Sequence, residues 1–380
     1  MTEKRYFINP AARSDSSCRG LFGDEVYSSV RTFLQRLPQP HFTPLHHLPA
    51  LASEMGVGDI RVKDESARYG LNSFKILGVT YAVGSLLGEG RLTEGSVLAC
   101  ATEGNHGRAV ARVAAANHLE AKVYVAANTN RSRREAIEAE GAKVVAVDGS
   151  YDDAVRQAAR DADRFGWLLV SDTSWPGYEE IPRRIMAGYT HLMTEAEEQW
   201  TSDPPPDVVL VQAGVGGLAG AVMSWLCRRY GEDRPFVIVC EPASAACFLE
   251  SSRAGKPVAL PGPFDTVMTG LRCGVVSSLA WPLISTTADA FLSIYDEECA
   301  SAMRTFAHPQ NGDPIVTAGA SGACGLAALL ATQRDGDLRP LREASNLDEQ
   351  SRILVFNTEG VTNPETYARI TGSGICSGPR

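Results

Sequence analysis

This 380-residue sequence has no cluster of cysteines and histidines and no excess of positive charge. Its longest basic run is the short segment at residues 131–134. The nine cysteines form no Cys-x-x-Cys motif, so a structural zinc site has no support. Most of these cysteines are expected to be small buried hydrophobic residues. Lys and Arg number 36 against 45 Asp and Glu, a formal charge of -9, which argues against nucleic acid and an anionic membrane as partners.

Long hydrophobic runs are also scarce. The first thirty residues contain no apolar run of the kind that a secretory signal needs, so a cytoplasmic protein is expected. Residues 208–227 are free of charges and about as long as a membrane span, but they contain four glycines and the polar Gln212. A buried strand, a glycine turn and a helix explain this segment better, so no membrane partner is expected.

What remains is a pattern of alternating strands and helices. Apolar runs predict strands at residues 59–63, 96–101, 122–126, 143–147, 167–171, 207–213, 236–240 and 353–356. Amphipathic spacing predicts helices that begin at residues 75 and 131 and helices over 107–119, 151–165, 181–200 and 321–331. A further helix is expected after the glycine turn at 214–220 and runs to about residue 230. Repeated βα units predict parallel sheets with helices on both faces. The proline-rich run at 201–206 predicts a linker between two lobes, a large domain of residues 1–93 with 201–380 and a small domain of residues 94–200.

A lysine marks the start of one predicted helix. Lys75 follows Ser73 and Phe74, and the apolar residues beyond it recur at the spacing of a helix with one buried face. A cation at a helix N-terminus beside a core opposes the helix dipole and loses hydration, so we expect the pKa of Lys75 to fall and its amine to form a Schiff base readily. The alternative is a lysine that lays its stem over the core and keeps its charge in water.

Two glycine-bearing loops follow predicted parallel strands, where open α/β sheets bind ligands. The first is Thr102-Glu103-Gly104-Asn105-His106-Gly107, which offers a carboxylate, an amide and an imidazole beside glycines that let a flat group approach the backbone. A capped turn is the alternative interpretation. The second is Gly214-Val215-Gly216-Gly217-Leu218-Ala219, whose successive amides open a helix and predict a phosphate-binding nest.

The second loop also satisfies the dinucleotide pattern G-x-G-x-x-A. Glu241 ends the next predicted strand, where a ribose-binding acid would lie. A nicotinamide-dependent oxidoreductase is therefore an alternative from a different class. It leaves the lysine segment and the first loop without a role, which makes it the weaker interpretation.

Three motifs occur in a fixed order: a lysine after Ser-Phe, a Glu-Gly-Asn-His-Gly loop and a Gly-Val-Gly-Gly loop. This combination resembles the fold type II pyridoxal-phosphate enzymes. That resemblance implies a tryptophan synthase β-like α/β fold of two lobes, each with a mainly parallel sheet flanked by helices. Further stretches are similar to the ammonia-lyases of the diaminopropionate type. They are Val62-Lys63-Asp64-Glu65-Ser66, Gly70-Leu71-Asn72, the segment at residues 171–178, Val211-Gln212-Ala213-Gly214-Val215-Gly216 and Thr358-Glu359-Gly360.

The resemblance implies a role for each matching residue. Lys75 would hold pyridoxal 5'-phosphate covalently, Asn105 would hydrogen-bond its phenolic oxygen, and Thr358 would face its pyridine nitrogen. The cofactor phosphate would be bound by the amides of Gly214, Val215, Gly216, Gly217 and Leu218. The amino-acid substrate would lie against Ser73, Thr102, Asp172 and Tyr178. Tyr178 and Trp175 could instead pack between the lobes, which is the role that we favour for them. His106 would pack on the cofactor.

The implied reaction is β-elimination from a β-substituted amino acid, with 2,3-diaminopropionate as the expected substrate. An aminoacrylate would be released and hydrolysed to a 2-oxo acid and ammonia. Lys75 would remove the α-proton on one face and Glu103 on the other, so that both enantiomers react, while Asp172 would bind the β-ammonium or protonate the leaving group. A serine or threonine dehydratase and a β-replacement synthase are alternatives with the same chemistry, and an inactive binding module is a third.

Three places depart from the family pattern. Glu103 stands where aspartate is expected, Ala320 stands where glutamate is expected, and Val361-Thr362-Asn363 replaces acidic residues. Loss of negative charge weakens recognition of a second ammonium. Cys247 and Cys273 fall where the ammonia-lyases have a cysteine pair, and the resemblance leaves open whether they are bonded. Family members are commonly dimers, so a homodimer is expected.

Overall fold

The computed structural model describes residues 4–12, 18, 20–37, 42–102, 104–200, 204–310 and 312–373. Strands in these ranges form two separate sheets. The strands are β1 (Tyr6–Ile8), β2 (Leu45–His47), β3 (Asp59–Asp64), β4 (Val97–Ala101), β5 (Glu120–Ala126), β6 (Lys143–Val147), β7 (Leu168–Leu169), β8 (Val208–Gln212), β9 (Phe236–Pro242), β10 (Ala290–Ile294) and β11 (Arg352–Asn357).

The larger sheet has seven strands in the order β1-β10-β9-β8-β11-β3-β2. Its five central strands are parallel, and the short edge strands β1 and β2 are antiparallel to their neighbours. The smaller sheet, β6-β5-β4-β7, is wholly parallel. All five residues of β8 are buried, as expected for an apolar strand covered on both faces. The predicted α/β fold with two mainly parallel sheets is confirmed.

Helices cover the faces of the sheets. The α-helices of the described residues are α1 (Asp24–Gln35), α2 (Pro49–Met55), α3 (Lys75–Gly88), α4 (Asn105–Ala116), α5 (Arg131–Glu138), α6 (Tyr151–Phe165), α7 (Glu180–Gln199), α8 (Gly217–Tyr230), α9 (Cys247–Ala254), α10 (Trp281–Thr287), α11 (Asp296–Ala307), α12 (Ala320–Arg334), α13 (Arg339–Ala344) and α14 (Pro364–Thr371). Short 3-10 helices lie at Arg68–Gly70, Gly231–Asp233, Ala243–Ala245, Thr269–Leu271 and Gly336–Leu338.

One predicted element is wrong in extent. A strand was expected over residues 167–171, but only Leu168–Leu169 pairs, opposite Leu98 and Ala99 of β4. The strand is short because β7 has a single neighbour at the edge of the small sheet, after which the chain leaves the sheet as a loop. This loop carries Asp172.

The helix of the lysine segment, α3, packs tightly on α7. A side chain at Gly188 would begin 2.7 Å from the carbonyl oxygen of Leu77, and one at Gly78 would begin 2.7 Å from that of Ile185, so glycine is needed for the two backbones to approach this closely. Helix α7 also packs against α1 and α8. The prolines at 204–206 lie between α7 and β8, and residues 201–203 lie outside the described residues.

A buried ion cluster ties β3 to α7. The side chain of Lys63 lies 2.7 Å from Glu195, and the guanidinium of Arg68 lies 2.6 Å from Glu195 and 2.7 Å from Glu65. These side chains are at most 1% exposed. The cluster therefore fixes the polar segment that precedes Lys75 against the helix that packs behind it.

Cys18 and Cys227 form a disulfide with an S–S distance of 2.09 Å, joining the N-terminal segment to α8. Sequence reasoning did not anticipate this bond. The described free thiols are buried or partly buried, at Cys100, Cys240, Cys247, Cys273, Cys299 and Cys324, in agreement with their expected role as small hydrophobic residues. No helix within the described ranges combines the length and the hydropathy that a bilayer crossing requires.

Candidate active site

Lys75 is the first residue of α3, as predicted. The two residues before it are held by the end of β11: the amide of Phe74 donates to the carbonyl of Thr358 at 3.2 Å, and Ser73 forms an isolated bridge with Glu359. The Ser73 hydroxyl also accepts a hydrogen bond from the Lys75 amide at 3.3 Å. The start of the helix is therefore anchored to the carboxyl edge of the large sheet.

The side chain of Lys75 pairs with Asp172, which follows β7 of the small sheet. Lys75 Nζ lies 2.5 Å from Asp172 Oδ2. Burial alone would lower the pKa of Lys75, but the charge of Asp172 and the hydrogen bond to it outweigh burial, and the pKa of Lys75 is raised. The expectation of a lowered pKa is wrong because the sequence did not show that a carboxylate would lie against the amine.

Asp172 is itself strongly acidic. Burial favours the neutral acid, but the positive charge of Lys75, followed by His106, outweighs it and lowers the pKa of Asp172. His106 Nδ1 lies 3.9 Å from Asp172 Oδ2, while His106 Nε2 donates to the Val170 carbonyl at 2.8 Å. Asp172 is therefore a carboxylate at neutral pH. The hydrogen bond to Val170 holds the ring of His106 beside it.

The glycine turn after β8 has the shape of an anion cradle. Gly216 caps α8 with φ of 97°, which favours glycine, and a side chain there would begin 2.3 Å from the ring of Phe248. A side chain at Gly214 would begin 3.0 Å from Cys273 Sγ. The predicted set Gly214, Val215, Gly216, Gly217 and Leu218 therefore presents backbone amides at the N-terminus of α8, where the helix dipole favours an anion such as phosphate.

The strand β11 ends in Thr358 and Glu359 at the same edge. The Thr358 hydroxyl accepts a hydrogen bond from Gln212 Nε2 at 3.1 Å and donates one to the Ser321 carbonyl at 3.4 Å. The bond to Ser321 is long, so the hydroxyl proton can turn to a stronger acceptor. A neutral hydroxyl that can donate suits a pyridine nitrogen, which is an acceptor.

The first loop brings a polar group from the small sheet to the same place. Asn105, the first residue of α4, donates through Nδ2 to Glu359 Oε2 at 2.7 Å. The Thr102 hydroxyl accepts a hydrogen bond from the Gly104 amide at 3.2 Å. Glu103, the predicted second base, lies outside the described residues, and its role remains a prediction.

Glu359 is a site residue to which sequence reasoning gave no role. It is 4% exposed, and its second oxygen accepts from the Ser321 amide at 3.1 Å. Burial raises its pKa, an effect that the hydrogen bonds from Ser321 and Asn105 partly offset. Its place directly after a buried parallel strand was the signal that could have identified it.

Two of the three places that depart from the family pattern, Ala320 and residues 361–363, lie together. A cavity of about 230 Å³ is lined by Glu359, Ala320, Val361, Thr362 and Asn363, with Arg133 and Arg272 also on its wall. The positions at which an acidic residue was expected therefore lie next to the carboxyl group of Glu359.

Tyr178 is engaged in holding its own loop. Its hydroxyl donates to the Leu169 carbonyl at 2.7 Å and accepts from the Ser171 amide at 2.9 Å, and its ring stacks on Trp175 with centroids 4.4 Å apart. Of the two expected roles, this geometry supports packing. Tyr178 therefore shapes the loop on which Asp172 lies.

A serine cluster joins that loop to the glycine turn. Ser174 Oγ lies 2.5 Å from Ser277 Oγ and accepts from the Leu279 amide at 2.9 Å. The Ser277 amide in turn donates to the Val215 carbonyl at 2.9 Å. Asp172 is thereby positioned relative to the turn as well as to Lys75.

Glu241 does not have the role that the nicotinamide alternative requires. It is fully buried, and the two oxygens of its carboxyl group accept from the amides of Phe248 and Leu249 at 2.7 and 2.9 Å. The carboxyl group therefore caps α9 and is not available to a ribose. Cys247 and Cys273, the pair left open by the sequence, are free thiols.

These residues fit pyridoxal phosphate. The amine of Lys75 is suited to its aldehyde, and the tight glycine turn is suited to its phosphate. The hydroxyl of Thr358 and the side-chain amide of Asn105 are suited to its ring nitrogen and phenolic oxygen. These groups converge from the two sheets. They lie at the carboxyl ends of β3, β4, β7, β8 and β11, where parallel sheets bind ligands. The fold and site together define a cofactor enzyme of the fold type II class.

Comparison with known proteins agrees with this geometry. The sequence pattern of the family described as "Pyridoxal-phosphate dependent enzyme" matches residues 37–358. A diaminopropionate ammonia-lyase of Salmonella typhimurium is 38% identical over 378 residues, covering 93% of this chain and 94% of that protein. The chain belongs to the family of pyridoxal-phosphate dependent enzymes.

Solved structures give the same result. The crystal structure of diaminopropionate ammonia lyase from Escherichia coli in complex with an aminoacrylate-PLP azomethine reaction intermediate is similar with a TM-score of 0.89 and 36% identity, covering 97% of each chain. Threonine deaminase isoform 2 from Solanum lycopersicum has a TM-score of 0.76 at 19% identity, covering 98% of each chain, and shares the fold.

Proposed function

We propose that this protein is an ammonia-lyase that converts 2,3-diaminopropionate into a 2-oxo acid and ammonia with pyridoxal 5'-phosphate as its cofactor. The observation that carries the proposal is the contact of Lys75 with an ionised Asp172 beside the glycine turn. The relatives named above support the substrate.

We assign the cofactor contacts by chemistry. Lys75 is the amine that would bond to the aldehyde, the turn at residues 214–218 would bind the phosphate, and Asn105 and Thr358 would face the phenolic oxygen and the ring nitrogen. When bound, the cofactor supplies the electron sink that makes the α-proton removable and the β-substituent able to leave. A hydroxyl opposite the ring nitrogen keeps the ring less electron-withdrawing than a carboxylate would, which favours prompt elimination.

Proton transfer follows from the charged pair. Lys75, once its amine is free and neutral, is proposed to take the α-proton on one face, and Glu103 on the other, which would allow both enantiomers to react. Ser73, just before α3, and Thr102, just after β4, are proposed to contact the substrate from the two sheets. Asp172, as a carboxylate, would bind the β-ammonium of the substrate.

The acidity of Asp172 favours an amine over a hydroxyl as the leaving group. A β-ammonium departs as neutral ammonia and takes no further proton, so an ionised Asp172 that keeps the amine protonated is suited to this step. A β-hydroxyl needs a proton donor to leave as water, and a carboxyl with a lowered pKa is a poor donor at neutral pH. This observation supports the ammonia-lyase over a serine or threonine dehydratase.

Glu359 would add to the acids of the neighbouring cavity. Asp265 and Asp296 lie on the same wall as Glu359, and Arg133 and Arg272 oppose their charge. Glu359 would add negative potential for a substrate that carries two ammonium groups. The variant Glu359→Gln keeps the shape and removes that charge, so it should raise KM for diaminopropionate more than KM for serine.

The test of the proposed function is product formation. Purified enzyme loaded with cofactor should release pyruvate and ammonia from D- and L-2,3-diaminopropionate, faster than from either enantiomer of serine or from threonine. Glu103→Gln should lose activity with one enantiomer selectively. Release of ammonia from serine or threonine but not from diaminopropionate would replace the lyase with a dehydratase.

We further propose a homodimer in the cytoplasm, with the domain division predicted from the sequence. The resemblance to the family supports the homodimer and the cytoplasm. The membership of β4 to β7 in a separate small sheet supports a domain of residues 94–200, although α7 also packs on α3 and α8. Light scattering tests the dimer, and free-thiol titration under non-reducing conditions tests whether Cys18 and Cys227 are bonded in the cell extract.

A further inference from the structure

Tyr189, in α7, has a buried hydroxyl that the proposed mechanism does not use. The residue is 1% exposed, and its hydroxyl donates to no acceptor among the residues that the structure describes. The ammonium of Lys75 is its charged neighbour, and an ammonium can only donate to it. Other buried tyrosines are satisfied: the hydroxyl of Tyr27 bonds to Ser224 at 2.8 Å and that of Tyr124 donates to Asp161 at 2.7 Å. A buried polar group without a partner weakens folding, so its presence calls for an explanation.

The ring of Tyr189 lies between the lysine helix and the glycine turn. Its centroid is 4.7 Å from that of Phe74 and 5.9 Å from Lys75 Nζ. A side chain at Gly217, the first residue of α8, would begin 3.7 Å from the Tyr189 ring. Gly78 and Gly188 let α7 approach α3 closely enough to bring the tyrosine here. The Tyr189 ring therefore lies where the lysine helix and the glycine turn meet, with its hydroxyl beside Lys75.

The neighbours in this pocket leave the phenol proton without an acceptor. The Lys75 ammonium can only donate, and it is directed to Asp172. The ring of Phe74 offers no acceptor oxygen. The turn at residues 214–218 opens a helix and so presents amide donors. An anionic oxygen brought by a ligand is the group that this pocket lacks.

We propose that the Tyr189 hydroxyl donates a hydrogen bond to an anionic oxygen of bound pyridoxal phosphate, and so is a cofactor-binding residue. The inference rests on the cofactor of the family and not on the identity of the amino-acid substrate. It assigns to α7 a role in holding the cofactor in addition to packing behind the lysine helix.

The test compares Tyr189→Phe with wild type in two measurements that need no substrate. The dissociation constant for pyridoxal phosphate, measured by titration of the full-length apoprotein, should rise about tenfold, which corresponds to about 1.4 kcal/mol. The apoprotein should unfold at the same or a higher denaturant concentration, since the variant removes an unpaired hydroxyl and keeps the ring. The phosphorus NMR signal or the visible absorption band of the bound cofactor should also shift.

Tyr124→Phe is the matched control, because its hydroxyl is buried but bonded to Asp161 in the small sheet. This variant should lose stability and keep the affinity for the cofactor. An unchanged dissociation constant together with an unshifted cofactor spectrum for Tyr189→Phe would overturn the inference, as would equal destabilisation of both variants without cofactor. Wild-type protein that fails to bind the cofactor would instead contradict the proposed function.

Discussion

The Nζ atom of Lys75 lies 2.5 Å from Oδ2 of Asp172, although the two residues are 97 positions apart. Lys75 begins α3, after β3 of the large sheet, and Asp172 lies after β7 of the small sheet. The contact sets the charge of both groups, since it raises the pKa of the amine and lowers that of the acid. An amine held as ammonium must lose a proton before it can attack an aldehyde, so Asp172 governs how readily the enzyme takes up its cofactor.

Replacement of Asp172 by Asn should therefore ease that deprotonation. Without the carboxylate, burial should dominate and the pKa of Lys75 should fall, by about 1 to 3 units for the loss of one close opposite charge. The rate at which apoprotein captures pyridoxal phosphate, measured against pH by stopped-flow absorbance, should extend to lower pH by that amount. The exposed Asp163→Asn is the control, and an unshifted profile for Asp172→Asn would count against the pairing.

Gly216 should be essential to the phosphate turn for a steric reason. Gly216→Ala meets both a positive φ of 97° and a contact of 2.3 Å with Phe248, so we expect cofactor affinity to fall more than tenfold. Gly255→Ala has a positive φ of 65° in the left-handed helical region and open space around the new side chain, so it should cost only about 1 kcal/mol of unfolding free energy. Cofactor titration of both variants checks this, and equal affinities would show that the turn tolerates a side chain.

The buried cluster around Glu195 should make a large contribution to stability. Glu195→Gln leaves Lys63 and Arg68 with one carboxylate, that of Glu65, in a site with almost no solvent, so the free energy of unfolding should fall by about 3 to 5 kcal/mol. The exposed helical pair of Arg339 and Glu343 provides the comparison. Glu343→Gln should cost less than about 0.5 kcal/mol in the same urea denaturation experiment. Similar losses of unfolding free energy in the two variants would contradict the burial of Glu195.

Local patterns predicted much of the fold from the sequence. Strand β6 and helix α6 have the predicted bounds, and α8 ends at Tyr230 as expected, because apolar periodicity and turn residues are local signals. The edge strands β1 and β2 and the shortened β7 were not predicted correctly. They are two or three residues long and owe their existence to pairing partners elsewhere in the chain.

The sequence allowed the candidate site residues to be named, but not the pKa values and contacts of their side chains. Lys75, Asn105, Asp172 and the glycine turn could be named because each lies in a recognisable motif. The raised pKa of Lys75 and the unpaired hydroxyl of Tyr189 depend on contacts across α3, α7 and the small sheet. No pattern within one segment encodes such contacts.

Glu241 should make stability fall as the solution becomes more basic. Burial raises its pKa from 4.5 to about 8, so between these values the folded protein keeps a proton that the unfolded chain has released. The free energy of unfolding should therefore decrease with pH over this range, at up to about 1.4 kcal/mol per pH unit from this group. Urea denaturation from pH 5 to pH 9 checks the slope, which Glu241→Gln should flatten. An identical slope in the variant would mean that Glu241 is ionised in the folded protein.

Lys75 is the residue that we expect to bond to the cofactor aldehyde. Reduction of the cofactor-loaded enzyme with borohydride, followed by proteolysis and mass spectrometry, identifies the lysine that forms this bond. We predict a single pyridoxyl-phosphate modification on the peptide that contains Lys75 and a colourless Lys75→Ala variant. Modification of a different lysine, or a Lys75→Ala protein that retains the visible band of the bound cofactor, would contradict the account.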